Sequence, residues 1–110
     1  MTKTLDKTEL VRLAWLTELR RQGHRQCTGE YAQGTNVCAL GLLLEVAGKT
    51  VEWAVKHDEA RVGEFAGLSP RQARTVVCMN DGLTNFNVGY GRYHKHTFAE
   101  IADVVEGWFK

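Results

Sequence analysis

The sequence predicts a mainly α protein with a minor β component, in which about four or five helices surround a central apolar helix over residues 37–47. Three segments begin with a pattern typical of helix N-termini. Residues 37–47 are apolar almost all round, as expected of a helix that is buried on every side. The chain has 110 residues, 44% of them hydrophobic and 25% charged, which is typical of one globular domain over residues 1–110.

The three predicted helix starts share a capping box. In this motif a short polar side chain accepts a hydrogen bond from a backbone N–H of the first turn, and a Glu or Gln reaches back. Pro70 takes the first helical position in one of them, where its missing N–H costs nothing. The boxes are Asp6-x-x-Glu9, Ser69-Pro70-x-Gln72 and Thr97-x-x-Glu100.

Apolar residues recur at helical spacing after the first and the last box. The first helix should end at Gly23 and the central helix at Gly48. A brief helix is predicted over 58–66, whereas the alternation over 50–55 fits a short strand or a helical turn equally. Residues 84–96 suit a small β-ribbon or an ordered loop. The helix-spaced residues are Leu10, Leu13, Ala14, Leu16 and Leu19 in the first helix, Val62, Phe65 and Ala66 in the brief one, and Phe98, Ile101, Ala102, Val105 and Phe109 in the last.

The charge balance and the hydropathy exclude several classes of protein. With 14 basic and 13 acidic side chains the net charge is +1, which disfavours nucleic acid as a partner because phosphate binding usually needs a clear basic excess. The longest apolar run covers 37–44, whereas a membrane span needs about 20 residues. We therefore expect a cytoplasmic protein with no membrane partner, and reduced thiols at Cys27, Cys38 and Cys78.

Cys38 is a candidate nucleophile. If Thr35 or Asn36 caps the central helix, Cys38 lies in its first turn, where the helix dipole lowers the pKa of a thiol. A hydrolase built on this thiolate would use His96 as the base and Asp81 to orient the histidine. The alternative is that Cys38 is a small core residue, since no cysteine-enzyme signature surrounds it.

Histidines and cysteines form two pairs with the spacing of metal ligands, His24-x-x-Cys27 and His94-x-His96. The sequence has no CxxC or HExxH motif, and such pairs arise by chance in many chains. The sequence therefore predicts no metal and no cofactor.

Residues 62–77 match the pattern of a helix-turn-helix with a glycine in the turn. The second helix would present four polar side chains to a major groove, namely Arg71, Gln72, Arg74 and Thr75. A plain corner between two helices needs the same glycine and the same apolar contacts. The neutral charge of the chain weighs against DNA binding.

Four short motifs follow one another over roughly residues 10–106: Cys38-Ala-Leu-Gly41, Gly67-Leu-Ser69, Asn80-Asp81 and Thr97-Phe-Ala-Glu-Ile-Ala-Asp103. In these motifs the chain resembles a family of small uncharacterised proteins of phages and bacteria that carry a Cys-x-Leu-Gly signature. The resemblance implies a phage-type accessory protein and brings no activity with it. Some members have a doubled cysteine before the Leu-Gly, where this chain has Cys38-Ala39, and the loop 83–96 is longer and more aromatic than is usual in the family.

Two loops, residues 29–36 and residues 90–96, have the features of an anion site. The N–H groups at the start of the central helix suit an anion, and the tyrosines near residue 90 could stack on a base. The predicted ligand-binding residues are Gly34, Thr35, Asn36, Asn80, Asp81, Tyr90, Arg92, Tyr93, His94 and His96. The leading prediction is a non-enzymatic binding module that sequesters an anionic or nucleotide-like small molecule, such as a host immune signal, or binds a host protein, with a homo-oligomer left open. The alternatives are the hydrolase, the DNA-binding protein, and two loops that are only solvated connectors.

Overall fold

The computed structural model describes residues 6–82 and 95–110. These residues form six α-helices, one 3-10 turn and a two-stranded antiparallel sheet, which confirms the mainly α prediction with a minor β part. In chain order the elements are α1 (Lys7–Arg21), the 3-10 turn (Gly23–Arg25), β1 (Ala32–Gln33), β2 (Asn36–Val37), α2 (Ala39–Ala47), α3 (Val51–Val55), α4 (Glu59–Glu64), α5 (Pro70–Asp81) and α6 (Phe98–Trp108).

The predicted helix starts are present. Full capping boxes form at Ser69 and at Thr97, where the side-chain and backbone hydrogen bonds are reciprocal. The carboxylate of Asp6 accepts from the backbone N–H of Glu9 at 2.8 Å and caps α1. These bonds join residues three apart, so the local sequence is enough to predict them.

The central helix α2 begins two residues later than predicted. Val37 belongs to strand β2 and pairs with Ala32, and Cys38 is the N-cap of the helix. The helix ends at Gly48, whose φ of +74° is the left-handed conformation that glycine adopts without strain. Residues 39–44 are all buried, as the apolar run predicts.

The small sheet precedes α2 and consists of the two short strands β1 and β2, which are joined by a turn at Gly34 and Thr35. Gly34 has φ +62°, which this tight turn requires. The sequence placed a β-ribbon or an ordered loop at 84–96 instead. Residues 83–94 lie outside the described part of the chain, and residues 95 and 96 have no regular secondary structure.

The segment over 50–55 is helical, so the described chain has one helix more than the upper prediction. Thr50 caps α3 by accepting from the backbone N–H of Trp53 at 3.1 Å. Asp58 caps the brief helix α4 in the same way, and there Val62 is fully buried. Both caps were missed because neither is followed by a Glu or Gln three residues later.

The core is formed where α2 packs on α1, α4 and α5, while α6 covers α1 and α5. In α1 the face toward the core is lined by Trp15, Leu16 and Leu19. Leu10 and Leu13, which the helical spacing grouped with them, are about half exposed at 54% and 48%. The sequence therefore predicted the helix correctly and only part of its buried face. None of the helices in the described ranges is long and apolar enough to cross a membrane.

Candidate functional site

A pocket of about 200 Å³ lies where the loop before the hairpin meets the start of α2, the start of α4 and the end of α5. Its floor is apolar and its rim is acidic. It brings together three residues that the sequence analysis singled out, Cys38, Asn80 and Asp81. The lining residues are Gly29, Glu30, Tyr31, Cys38, Leu40, Glu59, Val76, Val77, Asn80 and Asp81.

Asn80 is a buried hub that holds the walls of this pocket together. Its Oδ1 accepts hydrogen bonds from Gln26 Nε2 at 3.0 Å and from the backbone N–H of Ala39 at 3.2 Å. Its Nδ2 donates to the carbonyl of Cys27 at 2.9 Å and to Asp81 Oδ1 at 2.7 Å. An asparagine amide has two donors and two acceptor positions, so the chain itself uses all four. Asn80 therefore shapes the pocket, and its amide has no capacity left for a ligand.

The Cys-x-Leu-Gly motif has a structural explanation in this chain. Cys38 Sγ accepts from the backbone N–H of Gly41 at 3.2 Å, which caps α2 with a thiol. Its backbone N–H donates to the carbonyl of Tyr31 at 3.1 Å. A Cβ atom on Gly41 would lie 2.0 Å from that same carbonyl oxygen, so only glycine fits there. The carbonyl of Ala39 accepts from Trp15 Nε1 at 2.9 Å, which ties the motif to α1.

The thiol of Cys38 is not activated. A lowered pKa of this thiol was expected if Thr35 or Asn36 capped α2 and Cys38 lay in the first turn. In the structure Cys38 is itself the N-cap of α2. Burial raises the pKa of the Cys38 thiol to about 11, and the hydrogen bond from the backbone N–H of Gly41 lowers it by less than burial raises it. At pH 7 about one thiol in ten thousand is ionised. The predicted cap at Thr35 or Asn36 is therefore wrong, and the direction of the pKa shift argues against a reactive thiolate, since loss of solvent outweighs the helix N-terminus. The hydrolase itself stays a prediction.

The pocket has an apolar floor and a negatively charged rim. Leu40 and Val76 are buried beneath it. Glu30, Glu59 and Asp81 bring three carboxylates to its edge. One of them is partly neutralised, since Arg74 Nη1 lies 3.4 Å from Glu59 Oε1. Burial raises the pKa of the Tyr31 hydroxyl, and the neighbouring Cys38, Glu59 and Asp58 raise it further.

The residues predicted to bind an anion do not form one cluster. Gly34, Thr35 and Asn36 form the exposed turn of the hairpin and do not line the pocket. The carbonyl of Thr35 accepts from Arg25 Nε at 2.7 Å. Four other members of the predicted set lie outside the described residues, namely Tyr90, Arg92, Tyr93 and His94.

His96 lies near the pocket through its backbone. Its N–H donates to the carbonyl of Met79 at 2.7 Å, and its carbonyl accepts from Gln26 Nε2 at 2.7 Å. Gln26 therefore bridges His96 to Asn80. Of the proposed hydrolase residues, Cys38 and Asp81 line one pocket, whereas His96 is not among the lining residues.

Arg20 at the end of α1 and Arg25 in the 3-10 turn are matched to carboxylates within the chain. Arg20 pairs with Asp103 and Glu106 of α6. Arg25 binds Glu45 of α2 through two nitrogens, at 3.0 and 2.7 Å. Charges matched in this way hold elements together and leave less attraction for an added anion.

In the predicted helix-turn-helix, α4 and α5 form a tight corner. A Cβ on Gly63 would lie 2.7 Å from the Cβ of Ala73, so the two helices need a glycine there. Of the four side chains assigned to a major groove, Gln72 completes a capping box and Arg74 contacts Glu59. Thr75 is buried at 9% exposure. The contacts within the chain account for the glycine and for these side chains without DNA, and DNA binding stays a prediction.

Within residues 6–82 and 95–110, no three His, Cys, Asp or Glu side chains are placed to hold one metal ion. His94, one of the four residues with the spacing of metal ligands, lies outside these ranges. Comparison with protein-family models, with curated proteins and with solved structures gave no match for the chain. What the site can do therefore rests on its own residues.

Seven of the ten lining residues were not among the predicted catalytic or ligand-binding residues: Gly29, Glu30, Tyr31, Leu40, Glu59, Val76 and Val77. One signal for part of them was present. Positions 76 and 80 are one helical turn apart, and so are positions 77 and 81. All four therefore share a face of any helix that spans them.

Proposed function

We propose that the protein is a non-enzymatic binding module that takes a small molecule in the pocket beside α2, as an accessory protein of the phage type that the sequence resembles. The observation that supports the proposal is the pocket itself, which has a volume of about 200 Å³, an apolar floor and an acidic rim. Its walls come from four separate segments; Asn80 joins the segment before the hairpin, the start of α2 and the end of α5, while Arg74 of α5 pairs with Glu59 of α4. A preformed pocket binds without a large ordering cost. Such a module would act in the cytoplasm.

The rim determines the class of ligand for this pocket. Glu30, Glu59 and Asp81 repel an anion and attract an ammonium group or a hydrogen-bond donor. The apolar floor favours a hydrocarbon or aromatic body. We therefore propose a ligand with a positively charged amine and an apolar body, in place of the anion that the loop sequences predict.

The absence of catalysis in this proposal rests on the state of the thiol. Burial keeps Cys38 protonated at neutral pH, and its sulfur is engaged as the cap of α2. Asn80 holds the backbone at Cys27 and at Ala39, and its four hydrogen-bonding positions are all used within the chain. The remaining lining groups are suited to binding by charge and by apolar contact.

Three ligands with a similar apolar body test the proposal: phenethylamine, 2-phenylethanol and 3-phenylpropanoate. Binding is followed by ¹H–¹⁵N NMR. We expect the amine to bind most tightly, with shifts at the start of α2 and the end of α5. Glu30→Gln should weaken the amine about three- to tenfold, because it removes one rim charge without changing the shape. Glu52→Gln on α3, an exposed glutamate outside the pocket, is the matched control.

Two results would contradict the proposal. One is the absence of shifts around the pocket with all three ligands at millimolar concentration. The other is an order of affinity in which the carboxylate binds as well as the amine, because then the rim would not select the ligand.

A further inference from the structure

We propose a second and separate ligand site on the opposite side of α4, a groove that takes a planar aromatic anion of the nucleotide class. The groove lies between the start of α1 and the helices α3 and α4, and its volume is about 450 Å³. Its principal lining residues are Lys7, Val11, Trp53, His57, Arg61 and Phe65. The inference goes beyond the proposed function, since it concerns another face of the molecule and a ligand of opposite charge.

The geometry of α4 separates the two sites. Glu59 lines the first pocket, whereas Arg61 and Glu64 line the groove. At about 100° per residue, positions 61 and 64 lie about 140–160° around the helix from position 59. A ligand in one site therefore does not contact the other, and each can be tested alone.

The groove presents an ordered set of aromatic rings. The rings of Trp53 and His57 stack at 4.1 Å between centroids with an interplanar angle of 16°. His57 Nδ1 lies 2.7 Å from the carbonyl of Trp53, which fixes the imidazole against the indole. Phe65 lies 5.2 Å from Trp53. All three side chains are partly exposed, so a planar ligand can stack on rings that are already held in place.

The charges around the rings favour an anion. Lys7 and Arg61 line the groove, and Lys49 Nζ lies 5.7 Å from the ring of Trp53 and 5.9 Å from that of Phe65. The opposing carboxylate is Glu64, which pairs with Arg61 at 3.5 Å while both side chains are about 60% exposed. An exposed pair of this kind is weak, so an incoming phosphate can compete for the arginine.

Rings and cations together point to one chemistry. A stacking platform takes a base of any identity, and nearby cations take the phosphate attached to it. The volume of the groove is within the range of sites that bind small ligands. A mononucleotide has both features in one molecule, whereas a free base or a free phosphate has only one.

The test is a calorimetric titration of the full chain with adenosine monophosphate, adenosine and inorganic phosphate. We expect the nucleotide to bind more tightly than either part, and more weakly as salt is raised. Lys7→Ala and Arg61→Ala should each weaken it about three- to tenfold. Arg71→Ala is the matched control, because Arg71 is an exposed arginine on α5 that does not line the groove. Equal affinity of the parent protein and the two groove variants would overturn the proposal, as would no binding.

The rings need their own variants. His57→Ala removes one ring of the stacked pair and should weaken the nucleotide and adenosine alike, while inorganic phosphate is unaffected. Circular dichroism checks that the variant is folded, and Phe65→Leu gives the same information if it is not. Adenosine binding as tightly as the nucleotide would refute the role of the cations.

The two sites are distinguished by variants of the other site. Glu30→Gln should leave nucleotide affinity unchanged, and Arg61→Ala should leave phenethylamine affinity unchanged, so failure of one site is distinguishable from failure of the other.

Discussion

Asn80 joins segments that are far apart in the sequence. Its side chain contacts Gln26 and Cys27 before the hairpin and Ala39 at the start of α2, more than 40 residues away in each case. It is 1% exposed, so water does not replace a lost partner. A buried polar group left without its partner costs about 1–3 kcal/mol, and here several groups depend on one side chain.

Asn80→Ala should therefore lower the free energy of unfolding by about 2–4 kcal/mol. The carbonyl of Cys27 and the backbone N–H of Ala39 would lose their partners together. Urea denaturation measures the change. Asn36→Ala at the exposed hairpin is the matched control and should change stability by less than about 0.5 kcal/mol. A small effect at position 80 would mean that water enters the site.

Gly41 and Gly107 provide a matched pair of helical glycines. Gly41→Ala places a Cβ 2.0 Å from the carbonyl oxygen of Tyr31, and we expect a loss of stability above about 3 kcal/mol or failure to fold. A Cβ on Gly107 in α6 meets nothing within 4 Å. Gly107→Ala should stabilise the protein by about 0.5–1 kcal/mol, because alanine loses less backbone entropy in a helix. Thermal unfolding of both variants measures the difference, and a tolerated Gly41→Ala would contradict the close packing of the hairpin on α2.

At the scale of elements, the start of α2 shows how a strand, a cap and a helix share residues. Strand β2 ends at Val37, Cys38 caps the helix, and Ala39 begins it. The hairpin therefore delivers the chain directly to the helix N-terminus. This arrangement partly buries Cys38, and loss of solvent around the thiol raises its pKa to about 11 from an ordinary value of 9.0.

The raised pKa of Cys38 predicts a loss of stability at alkaline pH. Because the folded state favours the neutral thiol, its contribution is complete below about pH 9 and is lost as the pH rises toward 11. The loss is at most about 1.4 kcal/mol for each unit of pKa shift. Cys38→Ser keeps a polar cap without an ionisable thiol, so its stability should fall less over this range.

Urea denaturation at pH 7, 9 and 10 compares the two proteins. Burial also raises the pKa of Tyr31 and of Cys27, and both residues are present in parent and variant. Because Cys38 itself contributes to the raised pKa of Tyr31, the difference between the two proteins reports the thiol together with its interaction with Tyr31. Parallel pH profiles for the two proteins would show that the thiol of Cys38 is not buried in the folded state. Its alkylation by iodoacetamide at pH 7 should be slow for the same reason.

For the whole molecule, stability depends on how α6 closes the core over α1 and α5. Phe98 at its start is fully buried, whereas Phe109 beyond its end is 38% exposed. Phe109 instead lies under the guanidinium of Arg12 at 3.8 Å. The phenylalanines at the two ends of α6 therefore have different environments, which a pattern of apolar spacing does not distinguish.

Phe98→Ala should cost about 3–5 kcal/mol, because it leaves a cavity in the centre of the core. A domain of this size has only about 5–15 kcal/mol of net stability, so the variant should be marginal at 37 °C. Phe109→Ala should cost less than about 1 kcal/mol, since its ring is already exposed and loses mainly the contact with Arg12. The two midpoints of thermal unfolding test this. Equal shifts would mean that α6 does not pack as described.

The sequence by itself determined the features that depend on neighbours in the chain. The caps at Asp6, Ser69 and Thr97 join residues three apart, so their chemistry is visible in the sequence and is present in the structure. The apolar run of the central helix and the glycine that ends it were also predicted, because burial on all sides leaves no polar position. The class of the fold follows from these local preferences.

Only the tertiary structure decided which side chains meet. Cys38 and Asn80 were both singled out in the sequence, but their roles were not. Asn80 joins segments through contacts across more than 40 residues. Cys38 caps α2 because the hairpin places it at the start of that helix. The same holds for the acidic rim, which gathers Glu30, Glu59 and Asp81 from three segments. Apolar periodicity gives the face of a helix that is buried, whereas the angle and position at which helices cross decide what lies opposite that face.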